Sequence, residues 1–117
     1  MFRLIKVYCL IHPVTNMPFY VGATAKTLKD RLNGHITSRF APFYSQSPSA
    51  KRYKLLCELM DSGTPPKISC LIAVSPDNCD LFERAYYNLF ISSGIDLLQD
   101  ANRFTYQGHY HKNKLNK

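Results

Sequence analysis

The chain opens on an alternation of apolar and polar positions. Ile5, Val7, Cys9 and Ile11 fall on one side, and Lys6, Tyr8 and Leu10 on the other. This is the period-two pattern of a half-buried strand. After a turn from Pro13 to Pro18, Phe19 and Val21 continue the apolar side, with Tyr20 and Gly22 opposite. The two runs read as a hairpin that packs its apolar side inward. Tyr8 and Tyr20 then share the outward side, above a glycine whose bare backbone lets a ligand approach.

The period then changes. Thr27 and Asp30 have capping-box spacing, and the helix they open should run to about Phe40. Leu28, Leu32, Ile36 and Phe40 form its apolar stripe. Arg31, His35 and Arg39 form a second stripe at the same spacing. Gly34 costs such a helix about 1 kcal/mol relative to alanine, as if something had to come close there. Ala41 to Ser49 is a Pro/Ser loop whose Phe43 and Tyr44 either stack on bases or close over the core. Ser47-Pro48 caps a second helix with Tyr53, Leu56, Cys57 and Met60 inward, ended by Gly63 and Pro65-Pro66. Lys67 to Val74 is a third strand, apolar on both faces, which predicts a central or helix-covered place. Ser75-Pro76 opens a third helix ended by Gly94, with an apolar arc of Leu81, Phe82, Ala85, Tyr86, Leu89 and Phe90. Glu83 falls at the edge of that arc, where a carboxylate needs a cation or a partner, and Arg84 points away. The order β-β-α-α-β-α predicts an α+β fold: a small, three-stranded, mostly antiparallel sheet flanked by helices. Residues 1–104 read as one domain and 105–117 as a basic, polar tail, with fraying expected from Asn102.

At 117 residues the chain is long enough to bury a core without disulfides or metals. Its four cysteines, at 9, 57, 70 and 79, include no C-x-x-C pair, so free core thiols are expected rather than a zinc site. The N-terminus lacks the apolar core of a signal peptide, and no apolar run is long enough to cross a membrane, so an intracellular, cytoplasmic protein is expected. Charge narrows the partners. The formal net charge is +7, unevenly spread: residues 1–57 hold nine Lys/Arg against one acid, residues 58–100 hold two against seven, and residues 101–117 hold four against none. A polyanion is the expected partner, nucleic acid before membrane, since no basic amphipathic helix with a broad apolar face is present.

Val7-Tyr8, Tyr20-Val21-Gly22, Arg31 four residues before His35, and Glu83 on a late helix together resemble the GIY-YIG endonuclease superfamily. The resemblance spans Tyr8 to about Asn102. It departs from the family pattern at Lys6, where the first motif has glycine, and in having valine for isoleucine in both motifs. Lys6 would either add a phosphate contact or crowd the site. Asn102 is the candidate for the family's trailing asparagine, with Gln99 as its competitor.

The resemblance implies a metal-dependent endonuclease acting on DNA, with Tyr8, Tyr20, Arg31, His35 and Glu83 as catalytic residues. Glu83, as sole carboxylate, would hold one Mg²⁺ or Mn²⁺ that keeps several waters and binds a phosphate oxygen. Arg31 would grip the same phosphate. Tyr8 would take the proton of the attacking water, with Tyr20 and His35 orienting water or phosphate. Lys6, Gly22, Lys26, Arg39, Lys51, Arg52 and Asn102 are the candidate nucleic-acid contacts. No small-molecule cofactor is expected, and nothing in the pattern fixes the oligomeric state. The alternative is a non-catalytic nucleic-acid-binding module on the same scaffold. Taken singly, the tyrosines would be ordinary sheet aromatics and Arg31 a helix-surface cation.

Overall fold

The structure, a computed structural model, describes residues 3–40 and 48–99. The expectations for Phe43, Tyr44 and Ser47, for Asn102, and for the domain boundary and tail lie outside these residues. Two strands, β1 (Ile5–Ile11) and β2 (Pro18–Thr24), are followed by helices α1 (Leu28–Ser38) and α2 (Pro48–Asp61). Strand β3 (Lys67–Val74), a 3₁₀ turn (Pro76–Asn78) and helix α3 (Cys79–Ser92) complete the order. The fold is α+β, with an antiparallel sheet in the order β2-β1-β3.

Local chemistry sets the element ends. At the hairpin tip the His12 imidazole accepts the backbone N–H of Val14 at 3.1 Å. Asn16 supplies the left-handed residue of the turn, with φ of 59°. Thr27 caps α1 by accepting the Asp30 N–H at 3.1 Å, as its spacing predicts. Helices α2 and α3 both end on a glycine of positive φ, Gly63 and Gly94. Thr64 N–H reaches Leu59 O and Gly63 N–H reaches Met60 O; Ile95 to Phe90 and Gly94 to Ile91 repeat the arrangement. Each is a Schellman ending.

The central strand is β1, not β3. Both faces of β1 are covered, so its alternation does not mark one wet side. On one face Ile5, Val7, Val21, Ala23 and Val74 pack with Cys79, Tyr87 and Leu97, backed by Phe82, Tyr86 and Phe90 of α3. On the other, Tyr8, Leu10, Phe19, Tyr20 and Leu56 pack with Leu28 and Leu32 of α1 and Leu55 of α2. Tyr8 and Tyr20, expected to face outward, are 0% and 5% exposed.

Strand β3 lies at an edge, with Lys67, Ser69, Cys70 and Ala73 exposed. Val7 lies opposite Ile72 and Tyr8 opposite Cys70, so Leu71 is an extra residue in a bulge. Its apolar residues on both sides therefore reflect a broken alternation rather than two covered faces. Cys9 and Cys79 are buried as expected, whereas Cys57 is half-buried and Cys70 exposed.

Three helix faces also differ from expectation. Phe40 lies beyond α1 and is exposed, its ring under the Arg39 guanidinium at 4.0 Å. In α2, Ala50 and Leu59 are buried with Leu56, while Tyr53, Cys57 and Met60 are half-buried. In α3 the buried positions are Cys79, Glu83 and Tyr87, and Leu81, Ala85 and Leu89 face outward. Reading a carboxylate as a boundary residue turned that arc; Glu83 belongs at its centre. Among the described residues, no helix is long and apolar enough to cross a membrane.

Candidate active site

The sheet face under α1 and α2 gathers the tyrosines. Tyr8 and Tyr20, from adjacent strands, have ring centroids 6.2 Å apart. The space above Gly22 belongs to them: a Cβ there would lie 2.6 Å from the Tyr8 hydroxyl and 2.8 Å from the Tyr20 ring. Gly22 is thus a seat for two side chains rather than an opening for a ligand. Alanine at this position would have to displace a buried ring.

Helix α1 delivers the next two groups, although its sequence pattern set them beside the apolar stripe. His35 is the buried residue of this helix, and Arg31, one turn earlier, is half-buried. Arg31 Nε donates to the Tyr8 hydroxyl at 2.9 Å, and Arg31 also hydrogen-bonds Tyr20. His35 Nε2 lies 2.7 Å from the same Tyr8 oxygen, and its ring meets that of Tyr20 edge-on at 4.9 Å.

The protons of this cluster can be assigned by accounting. The Tyr8 oxygen accepts from Arg31, a permanent donor, which leaves its own hydrogen for His35 Nε2. His35 must then be neutral, with its proton on Nδ1. Burial, reinforced by the charges of Arg31 and Arg52, pushes the His35 pKa down to about 3, which agrees. Burial raises the Tyr8 phenol well above its ordinary value, outweighing the opposing pull of Arg31. The pair therefore rests as phenol and neutral imidazole, joined by a short hydrogen bond, with a guanidinium beside any charge that develops on the phenol oxygen.

Glu83 approaches from α3. It is 0% exposed, with both carboxylate oxygens buried, and its charge is felt at Tyr8 and at Cys79. Among the described residues, no group of three or more His, Cys, Asp or Glu is placed to hold a metal. The donor chemistry nevertheless suits a hard divalent cation of the Mg²⁺ type, which takes one or two carboxylates and completes its shell with water and substrate phosphate. In this conformation Glu83 is closed to solvent, so the side chains covering it must part before a cation can reach it.

The expected nucleic-acid contacts divide into several kinds. Lys26 and Lys51 are exposed, as such contacts require. Lys6 Nζ donates to the Lys26 carbonyl at 3.2 Å, so it ties the strand to the entry of α1 rather than crowding Tyr8. Arg39 donates to the Ile36 carbonyl at 2.6 Å and covers Phe40. Arg52 is half-buried: its guanidinium lies 4.7 Å from the Tyr20 ring centroid and 5.1 Å from that of Tyr53, and it donates to the Leu98 carbonyl at 2.8 Å. That makes it part of the tyrosine cluster rather than a surface phosphate contact. Gln99, weighed only as a competitor for the asparagine position, bonds both backbone groups of Val21. A signal existed in the sequence, since an amide directly after Leu97-Leu98 has to satisfy its polar atoms in apolar company. No family model matches the chain, and neither a curated protein nor a solved structure matches it significantly.

Proposed function

We propose that the chain is a divalent-metal-dependent endonuclease on a GIY-YIG-like module, hydrolysing DNA phosphodiester bonds at a single-metal site. One observation carries this reading: Tyr8 bonds both Arg31 and His35, residues 23 and 27 positions away on another element. The resemblance selects these residues by motif order alone, and Tyr20 joins the same cluster; Glu83 lies on α3 between Cys79 and Tyr87, and its charge is the smallest of the influences on Tyr8.

Each group has a role its environment can support. The Arg31 guanidinium has more donors than the two phenols use, and the remainder would hold a phosphoryl oxygen and offset its developing charge. Tyr8 would act as a phenolate, its own proton released to solvent and its charge offset by Arg31 and by a bound cation, and would accept a proton from the attacking water. Tyr20 would hold the geometry through Arg31 and His35. Glu83 would hold the cation, which when bound supplies positive charge to the phosphoryl oxygens and acidifies water. Lys26 and Lys51 would contact neighbouring phosphates.

The test is nicking of supercoiled plasmid with Mg²⁺ or Mn²⁺ by wild type, Glu83→Gln and Arg31→Ala. Loss of at least about a hundredfold in either variant is expected, the scale on which removal of one transition-state contact acts. Equal nicking by all three proteins would sink the proposal. The closure of Tyr8 and Glu83 from solvent favours the second reading, a binding module without catalysis. That reading calls for salt-sensitive DNA binding that survives loss of Tyr8 and Glu83.

A further inference from the structure

Among the described residues strand β2 lies at an edge of the sheet, where outward-facing backbone groups lack a neighbouring strand. Here they are satisfied by residues some eighty positions later. Gln99 Oε1 accepts the Val21 N–H at 2.7 Å, and Gln99 Nε2 donates to the Val21 carbonyl at 2.8 Å. The adjoining Leu98 N–H donates to the Phe19 carbonyl at 2.7 Å. With both its groups taken by Gln99, Val21 faces Cys9 as a non-hydrogen-bonded pair, so its amide points away from β1. One side-chain amide and one backbone N–H thus complete the edge on either side of Tyr20.

The same two-residue segment is tied to the tyrosine cluster a second time. The Leu98 carbonyl accepts from Arg52, whose guanidinium lies against Tyr20 and whose charge acts on His35. Gln99 is 6% exposed, so water does not compete for its two bonds. Tyr20 is gripped through its backbone neighbours by Leu98 and Gln99, and through its ring by Arg52, which Leu98 in turn anchors.

We infer that Gln99 and Arg52 act together as positioning residues, fixing through the Leu98–Gln99 segment the Tyr20 ring against which His35 packs. Neither needs to touch the reacting atoms. Gln99 sets the height of β2 at Tyr20, and Arg52 sets the ring and the field around the imidazole. Their significance for phosphodiester hydrolysis rests on the function proposed above; the positioning itself does not.

The experiment combines amide hydrogen exchange, imidazole NMR and plasmid nicking on the full chain. In wild type the Val21 amide should be protected although no strand among the described residues lies beside it. Free exchange there would overturn the inference without any variant. Gln99→Met keeps the bulk and removes both bonds. It should speed Val21 exchange about tenfold or more and leave the amide of Cys9, opposite it, unchanged. The His35 ring resonances should move in Gln99→Met in the same direction as in Arg52→Met, although Gln99 carries no charge. Faster Val21 exchange with His35 resonances at their wild-type positions would reduce Gln99 to a plug for the sheet edge and overturn the positioning role. If wild type nicks DNA, Gln99→Met should lower kcat with little change in KM. If wild type does not nick, the nuclease proposal falls, and exchange and NMR still decide the clamp.

Discussion

His35 shows what burial does to a single residue. An imidazole that accepts a hydrogen bond from a phenol while two guanidinium groups bear on it resists taking up a proton of its own. In the unfolded chain it protonates near its ordinary value of 6.5, and in the folded chain only near about 3. Between those values the unfolded state binds the extra proton, so stability falls as the pH drops through this window and is fully retained above it. The His35 contribution should approach a slope of about 1.4 kcal/mol per pH unit. Urea melts between pH 7 and pH 4 on wild type and His35→Asn check this: the difference between the two should grow smaller as the acid destabilises wild type selectively. Parallel curves would contradict the assignment. In the sequence His35 was visible as the middle of a basic stripe and by its place in the motif order. Its pairing with Tyr8 was legible through motif order, but its burial was not, because a stripe on a helix does not say which neighbour covers it.

At the scale of elements, boundaries and caps were the most legible features, since Thr27, Gly63 and Gly94 act through local chemistry alone. Faces were less so. Alternation in β1 reads as half-buried whether one helix layer covers it or two, and only the assembled sheet reveals the second layer. The arc of α3 turned because a carboxylate sits at its centre. Gly34 gives a cleaner case. It is exposed, and a Cβ there would meet only the Arg31 guanidinium, at 3.7 Å, an ordinary contact. No close approach explains it. Gly34→Ala should therefore stabilise the protein by about 1 kcal/mol, the helix-propensity difference, measured as a higher midpoint in urea. Destabilisation would mean that the Arg31 side chain tolerates no crowding.

At the scale of the whole molecule, topology wraps the basic first half of the chain around one face of the sheet. The basic first half of the chain supplies the hairpin, α1 and the start of α2, which enclose the tyrosine cluster. Of the acids that follow, Glu58 and Asp61 belong to α2, and Asp77, Asp80 and Glu83 come with the 3₁₀ turn and α3, whose Cys79 and Tyr87 pack on the other face of the sheet. The antiparallel pairing of β1 with β2, joined by a short turn, was legible from the hairpin pattern. The return of β3 to the free side of β1 was not, since it depends on where two helices leave the chain.

That return has a practical consequence. Cys9 and Cys79 are buried, and burial pushes both thiols up to about 11; Cys57 donates to the Arg39 carbonyl. Cys70 stands exposed on the outer strand, as the direct ladder partner of Tyr8. A maleimide dye at neutral pH should therefore label Cys70 first among these four thiols, and Cys70→Ser should remove the fast phase of the reaction. The protein comes with its own attachment point for a fluorophore, one strand away from the phenol whose environment such a reporter would be asked to follow.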